Sequence, residues 1–192
     1  MPFKVEEKFE VQAPVDRVWH YLIDPSRVVV CIPGAELLET QDERTFRGAV
    51  KVKVGPIAMS FKGLVKFTEL DEASHTVRMV ADARESGGAG SAKITMISII
   101  NELAGGKSAV SVEMEVDLVG KIVQFGRGMI EEVSKQQFRQ FSACVKQRLE
   151  IPDGSQPSTT EAVESKPISA TKIGFQALWA IIARFFGRLL GR

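Results

Sequence analysis

His20, His75, Cys31 and Cys144 are the side chains of this sequence best suited to acid–base, nucleophilic or metal chemistry, and their spacing supports none of it. His20 falls on a short helical stretch and His75 in a turn between strands, and nothing in the sequence brings the two rings together. There is no HExxH, no CxxC and no carboxylate cluster of metal-binding spacing. Gly106-Lys107-Ser108 looks like the end of a phosphate loop. Asn101 stands where that loop needs its first glycine, and a strand follows where it needs a helix. Cys31 and Cys144 sit in apolar surroundings without CxxC spacing and are expected to be small buried hydrophobes. The chemistry on offer is apolar.

Methionine carries that reading. Met59, Met79, Met96 and Met114 share the inward phase of four consecutive strands, and Met129 follows on a helix. Turns centred near residues 87–88 and 105 would set Met79 opposite Met96 and Met96 opposite Met114, three side chains in one row. The thioether chain is flexible and polarizable, a poor specifier of a rigid core and a good adaptable lining. With Phe46, Val50, Phe61, Phe67, Phe125, Met129 and Val133, these residues predict a pocket for a planar or isoprenoid-like guest. Gln137, Ser98 and Ser134 are the polar candidates near that interior, and no inward strand position is expected to hold His, Tyr, Asp or Glu.

The elements that must position them follow from periodicity. Phe3 to Val11 alternates, with an apparent break in phase near Glu7, and predicts a strand. Pro14 opens a short helix over Val15 to Ile23, which Asp24-Pro25 ends. A second short helix over Ser26 to Cys31 stops at Pro33-Gly34. From Ala35 to Leu118 the period is two, with turns at Gly55-Pro56, Asp71 to Ser74, Gly87 to Gly90 and Ala104 to Lys107. Lys121 to Leu149 is then a long helix, loosened at its start by Gly120, Gly126 and Gly128. This order predicts an α+β fold: a curved antiparallel sheet wrapped around a long C-terminal helix, with two short helices after the first strand. One helix cannot fill so wide a concavity, and the remainder is the expected cavity.

The 192 residues, 44% of them apolar, suffice for one domain of residues 1–150 with an appendage. Residues 151–170 hold three prolines and many hydroxyl side chains, the composition of a disordered linker. Residues 171–192 wind into an amphipathic helix. Phe175, Leu178, Trp179, Ile182, Phe185, Phe186 and Leu189 fall on one face, and Arg184, Arg188 and Arg192 form a ridge on the other. The net charge of +1 hides an asymmetry: five of the 25 basic residues and none of the 24 acidic ones lie in residues 166–192, leaving the rest at −4. The apolar run from Ile173 to Phe186 contains Gln176 and Arg184 and falls short of the ~20 residues of a span. In-plane binding to an anionic bilayer is expected. No basic patch with interleaved aromatics predicts nucleic acid. The start MPFKVEEKFEV is unlike a signal peptide, so the body is expected to be cytoplasmic, at the inner face of the membrane.

Val18-Trp19 with Leu22, Asp24-Pro25-Ser26, Cys31-Ile32-Pro33-Gly34-Ala35-Glu36 and Val52-Lys53-Val54-Gly55-Pro56-Ile57 form a recognisable series, continued by Phe61-Lys62-Gly63, Gly120-Lys121-Ile122 and Phe125-Gly126. With the element order, these stretches resemble the CoxG family, the G subunits of carbon monoxide dehydrogenase, within the helix-grip, START/Bet v 1-like superfamily. The resemblance covers residues 1–150. It implies a non-enzymatic partner of an aerobic CO dehydrogenase or related molybdenum hydroxylase, which it would recruit to the membrane. It also implies a non-covalently held quinone, menaquinone being the expected one, with the Cys-Ile-Pro-Gly segment shaping a rim of the pocket. Two other functions stay open: a ligand-free tether or assembly factor, and an enzyme of the cyclase kind that the superfamily also contains.

Overall fold

The computed structural model describes residues 2–150. The expected linker and tail, 151–170 and 171–192, lie outside the described residues. Seven antiparallel strands form one sheet in the order β1-β7-β6-β5-β4-β3-β2, with β1 (Pro2–Val11), β2 (Ala35–Thr40), β3 (Thr45–Val54), β4 (Ile57–Asp71), β5 (Thr76–Glu85), β6 (Gly90–Leu103) and β7 (Lys107–Gly120). Between β1 and β2 lie α1 (Val15–Leu22) and α2 (Pro25–Val29), and α3 (Arg127–Glu150) closes the described chain. α3 packs against β1 on one side and β3 on the other, so the sheet curls around it. The predicted architecture is the observed one.

Three local expectations need correction. β1 is continuous: Glu7 takes the inward phase shared by Phe3, Val5, Phe9 and Val11, half-buried opposite Val112. α3 begins at Arg127 rather than Lys121. Lys121–Phe125 is a 3₁₀ turn, and Gly126 at φ 78° turns the chain in a way that would strain any side chain. The third correction is the cysteines, which form a disulfide with Cα atoms 5.3 Å apart. Separated by 113 residues, they carry no spacing signal, and only the packing of the segment after α2 onto α3 brings them together.

Two closed clusters hold the interior. At one end Phe9, Val11, Val18, Trp19, Phe46, Phe67 and Val110 pack with Phe138, Val145 and Leu149 of α3. Phe9 and Phe138 meet edge to face at 5.7 Å, as do Phe46 and Phe67 at 5.5 Å. At the other end Phe3, Val5, Val54, Met59, Phe61 and Leu118 pack with Ile122 and Ile130. Between them lies an incompletely closed band.

Candidate ligand cavity

The strand registers place Met79 opposite Met96 and Met96 opposite Met114. Phe67 and Val5 extend this row at its two ends. Its three methionines are only half-buried, as are their inward neighbours Val50, Val52, Val65, Ala81, Ile94 and Val116. Inward apolar side chains in the middle of a sheet, under a helix, should be sealed. Here the two ends of the sheet are sealed and the middle stays open to solvent-sized contact. Met114 packs against both clusters and so bridges the gap.

A cavity of about 390 Å³ opens at the flank of this band. β2 is six residues long and β3 ten, and Ala35 at the start of β2 pairs with Val50. Beyond Val50, β2 no longer covers the edge of β3. The Pro33-Gly34 lip meets that edge instead, with Lys51 N donating to Gly34 O at 2.9 Å. Gly34 has φ 77°, and a Cβ there would lie 2.3 Å from Lys51 O, so no other residue fits this lip. Lys51, Val52, Lys53 and Ala58 form the sheet wall, and Val133, Gln136, Gln137 and Gln140 form the helix wall. Val133, Gln137, Gln140 and Cys144 recur at i, i+4, i+7 and i+11, one stripe of α3. The disulfide therefore ties the lip to the same stripe that lines the cavity.

The eleven residues expected to line a pocket are distributed as follows. Val133 is on the cavity wall. Val50, Met79, Met96 and Met114 lie in the half-open band, whereas Phe46, Met59, Phe61 and Phe67 are sealed within the clusters. Phe125 is half-buried beside the second cluster. Met129 is exposed, its sulfur next to the Gly55 turn outside the interior. The membrane-binding residues Phe175 to Arg192 lie outside the described residues. Sequence reasoning passed over Lys51, Val52, Lys53, Ala58, Gln136 and Gln140, whose placement follows from where β2 stops. The stripe Val133-Gln137-Gln140-Cys144 was the available signal.

The polar groups near the interior are mostly committed. Glu85 takes an inward phase on β5, contrary to expectation, as does Glu7. Glu85 Oε2 accepts from Ala89 N at 3.0 Å and Gly87 N at 2.7 Å, and these bonds hold its carboxyl below the usual range. It fixes the β5–β6 turn. Tyr21 is buried, which raises its hydroxyl above the ordinary value, and it donates to Arg27 O at 3.0 Å beside Cys31. Ser134 donates back to Ile130 O. The two histidines do converge, on Asp16: His20 Nδ1 lies 2.7 Å from its carbonyl oxygen and His75 Nε2 3.4 Å from its carboxylate. His75 also packs edge-on against Trp19 at 5.6 Å, so this contact anchors α1 to the β4–β5 turn. A second depression, of about 240 Å³, is lined by the charged residues Lys4, Glu6, Arg78, Glu113 and Glu115, and it is also bordered by Val5, Met96 and Met114 of the row.

The model of the CoxG family, the G subunits of carbon monoxide dehydrogenase, matches residues 8–150. The chain belongs to the CoxG family. No curated protein matches this CoxG chain by sequence. Among solved structures it is similar to a conserved protein from Geobacillus kaustophilus, at 16% identity and TM-score 0.70, over 77% of this chain and 95% of that one. An aromatase/cyclase, ZhuI from Streptomyces, is 16% identical at TM-score 0.60, over 78% and 94% of the two chains. A START superfamily protein from Mycobacterium smegmatis is 13% identical at TM-score 0.54, over 77% and 97%. Identities this low establish the fold alone: this CoxG chain has the START-like, helix-grip fold. Among the described residues no helix is long and apolar enough to cross a membrane.

Proposed function

We propose that this CoxG-family protein is a non-catalytic carrier that holds an apolar ring-bearing guest, a quinone such as menaquinone, between its sheet and α3. In this reading residues 171–192 seat it on the inner membrane face, where it serves an aerobic CO dehydrogenase or related molybdenum hydroxylase. The observation that carries the reading is the half-open row Met79-Met96-Met114, with Val52 leading from the same band onto the wall of the 390 Å³ cavity. Sites for small organic molecules are about 300–1,000 Å³, mostly apolar, with a few placed polar groups. Exposed Ile57 and Met129, on either side of the Gly55 turn, put apolar surface near the mouth, which suits exchange with a lipid phase. A soluble dehydrogenase whose electrons end in a lipid-borne acceptor needs such a shuttle or a tether, and the family name supplies the link to that enzyme. Cyclase chemistry fits less well, because Glu85 is spent on a turn and acid–base work needs a free group of suitable pKa.

Organic-solvent extraction of the full-length protein from its native cells, followed by mass spectrometry, tests this. An isoprenoid quinone at close to one per chain is the expected result. A clean extract would leave only the tether.

A further inference from the structure

Gln137 stands apart from its neighbours on the cavity wall. Gln136, Gln140, Lys51 and Lys53 are exposed, so water satisfies their polar ends. The Gln137 Oε1 atom is shut away from solvent and has no hydrogen-bond partner among the described residues. The apolar part of the same wall is Val133, one turn earlier on α3, with Val52 and Ala58 on the sheet side. A buried acceptor left unpaired costs stability that a leucine of similar volume would not. Such an atom calls for an explanation, and half a turn of the amide, which lines the cavity, would present it to a guest there.

We propose that the Gln137 amide is the polar contact for a ring oxygen on the guest, the one desolvated polar group on a wall whose other polar ends reach water. The inference rests on the carrier reading above and specifies its ligand: a flat apolar ring bearing a carbonyl or hydroxyl, rather than a plain hydrocarbon or acyl chain. A primary amide suits this task. Its carbonyl accepts from a hydroxyl, its NH₂ donates to a carbonyl, and half a turn about the last side-chain bond exchanges the two. The same residue can therefore hold the ring in its oxidised and its reduced form, which a carboxylate or a lysine cannot. A carrier that collects one form and returns the other needs that tolerance.

Equilibrium dialysis of the full-length protein against menadione and against methylnaphthalene, the hydrocarbon of the same ring shape, provides the test. Gln137→Leu should bind menadione about tenfold more weakly, the worth of one hydrogen bond in a dry site, and methylnaphthalene equally well or better. Gln147→Leu, at an exposed position of α3 away from the cavity wall, should change neither. Gln137→Leu should also melt at or above the wild-type temperature, since it removes an unpaired group. Unchanged preference for menadione in Gln137→Leu would overturn the inference while leaving the carrier reading intact. So would a lowered melting temperature, because it would give the amide a structural partner. If the wild type binds neither probe, the carrier reading fails and takes the inference with it.

Discussion

Replacing Cys31 and Cys144 by serine, or reducing their bond, should lower the unfolding free energy by about 3–4 kcal/mol. The bond closes a loop of 113 residues. For loops of that size the chain-entropy account gives about 4–5 kcal/mol, and measured values usually fall short of it. Cys31 is 3% exposed and lies against Tyr21, so serine there also puts a hydroxyl where a sulfur was packed. Urea unfolding of the wild type with and without reductant, beside the double variant, measures the difference. The reduced wild type should unfold earlier than the oxidised protein and the double variant slightly earlier still, and an unchanged midpoint on reduction would show that the tie contributes nothing. The bond also has a functional consequence. It pins the segment leading to the Pro33-Gly34 lip onto α3, so opening it should speed escape of any guest from the flank. Disulfides persist in oxidising surroundings and open in a reducing cytoplasm.

The second large effect concerns residues 171–192. Replacing Arg184, Arg188 and Arg192 by alanine should weaken binding of the full chain to vesicles rich in anionic lipid by about 150-fold. Each basic side chain near such a surface contributes about 1 kcal/mol, so three contribute about 3 kcal/mol. The wild-type affinity should fall with added salt as the surface field is screened, and the triple variant, left with Lys166 and Lys172, should respond less steeply. Deleting 171–192 should abolish cosedimentation altogether, since the rest of the chain is mildly acidic and is repelled by the same lipid. Equal cosedimentation of wild type and deletion would move membrane contact to the body, with Ile57 and Met129 the first residues to inspect.

The fold was legible because the sheet is regular. Alternation from Thr45 to Leu118, broken only by a register shift between Phe67 and Glu69 and punctuated by Gly55-Pro56, Gly87-Gly88 and Gly105-Gly106, sets the strands and their register, and the methionine row follows by counting. What could not be counted depends on contacts between distant segments. The disulfide exists because α2 ends over the distal half of α3. The cavity sits at the flank because β2 is four residues shorter than β3, a difference that alternation alone does not reveal. Glu7 and Glu85 keep the inward phase despite their charge. Glu85 is satisfied by turn amides supplied by the next residues of the chain. Asp16 gathers both histidines only once α1 packs beside the β4–β5 turn. Gln137 could be named as a polar residue near the interior, but its lack of a partner is a property of the packed structure.

The central claim, a guest held against the inner face of the sheet, is tested most directly by the methionine methyl groups. In full-length protein carrying ¹³C-methyl methionine, titration with a short-chain menaquinone should shift the resonances of Met79, Met96 and Met114 together and saturably. Met129, exposed beside the Gly55 turn, should move little. Shifts confined to Met129, or none at any site, would place the guest outside the sheet and contradict the account.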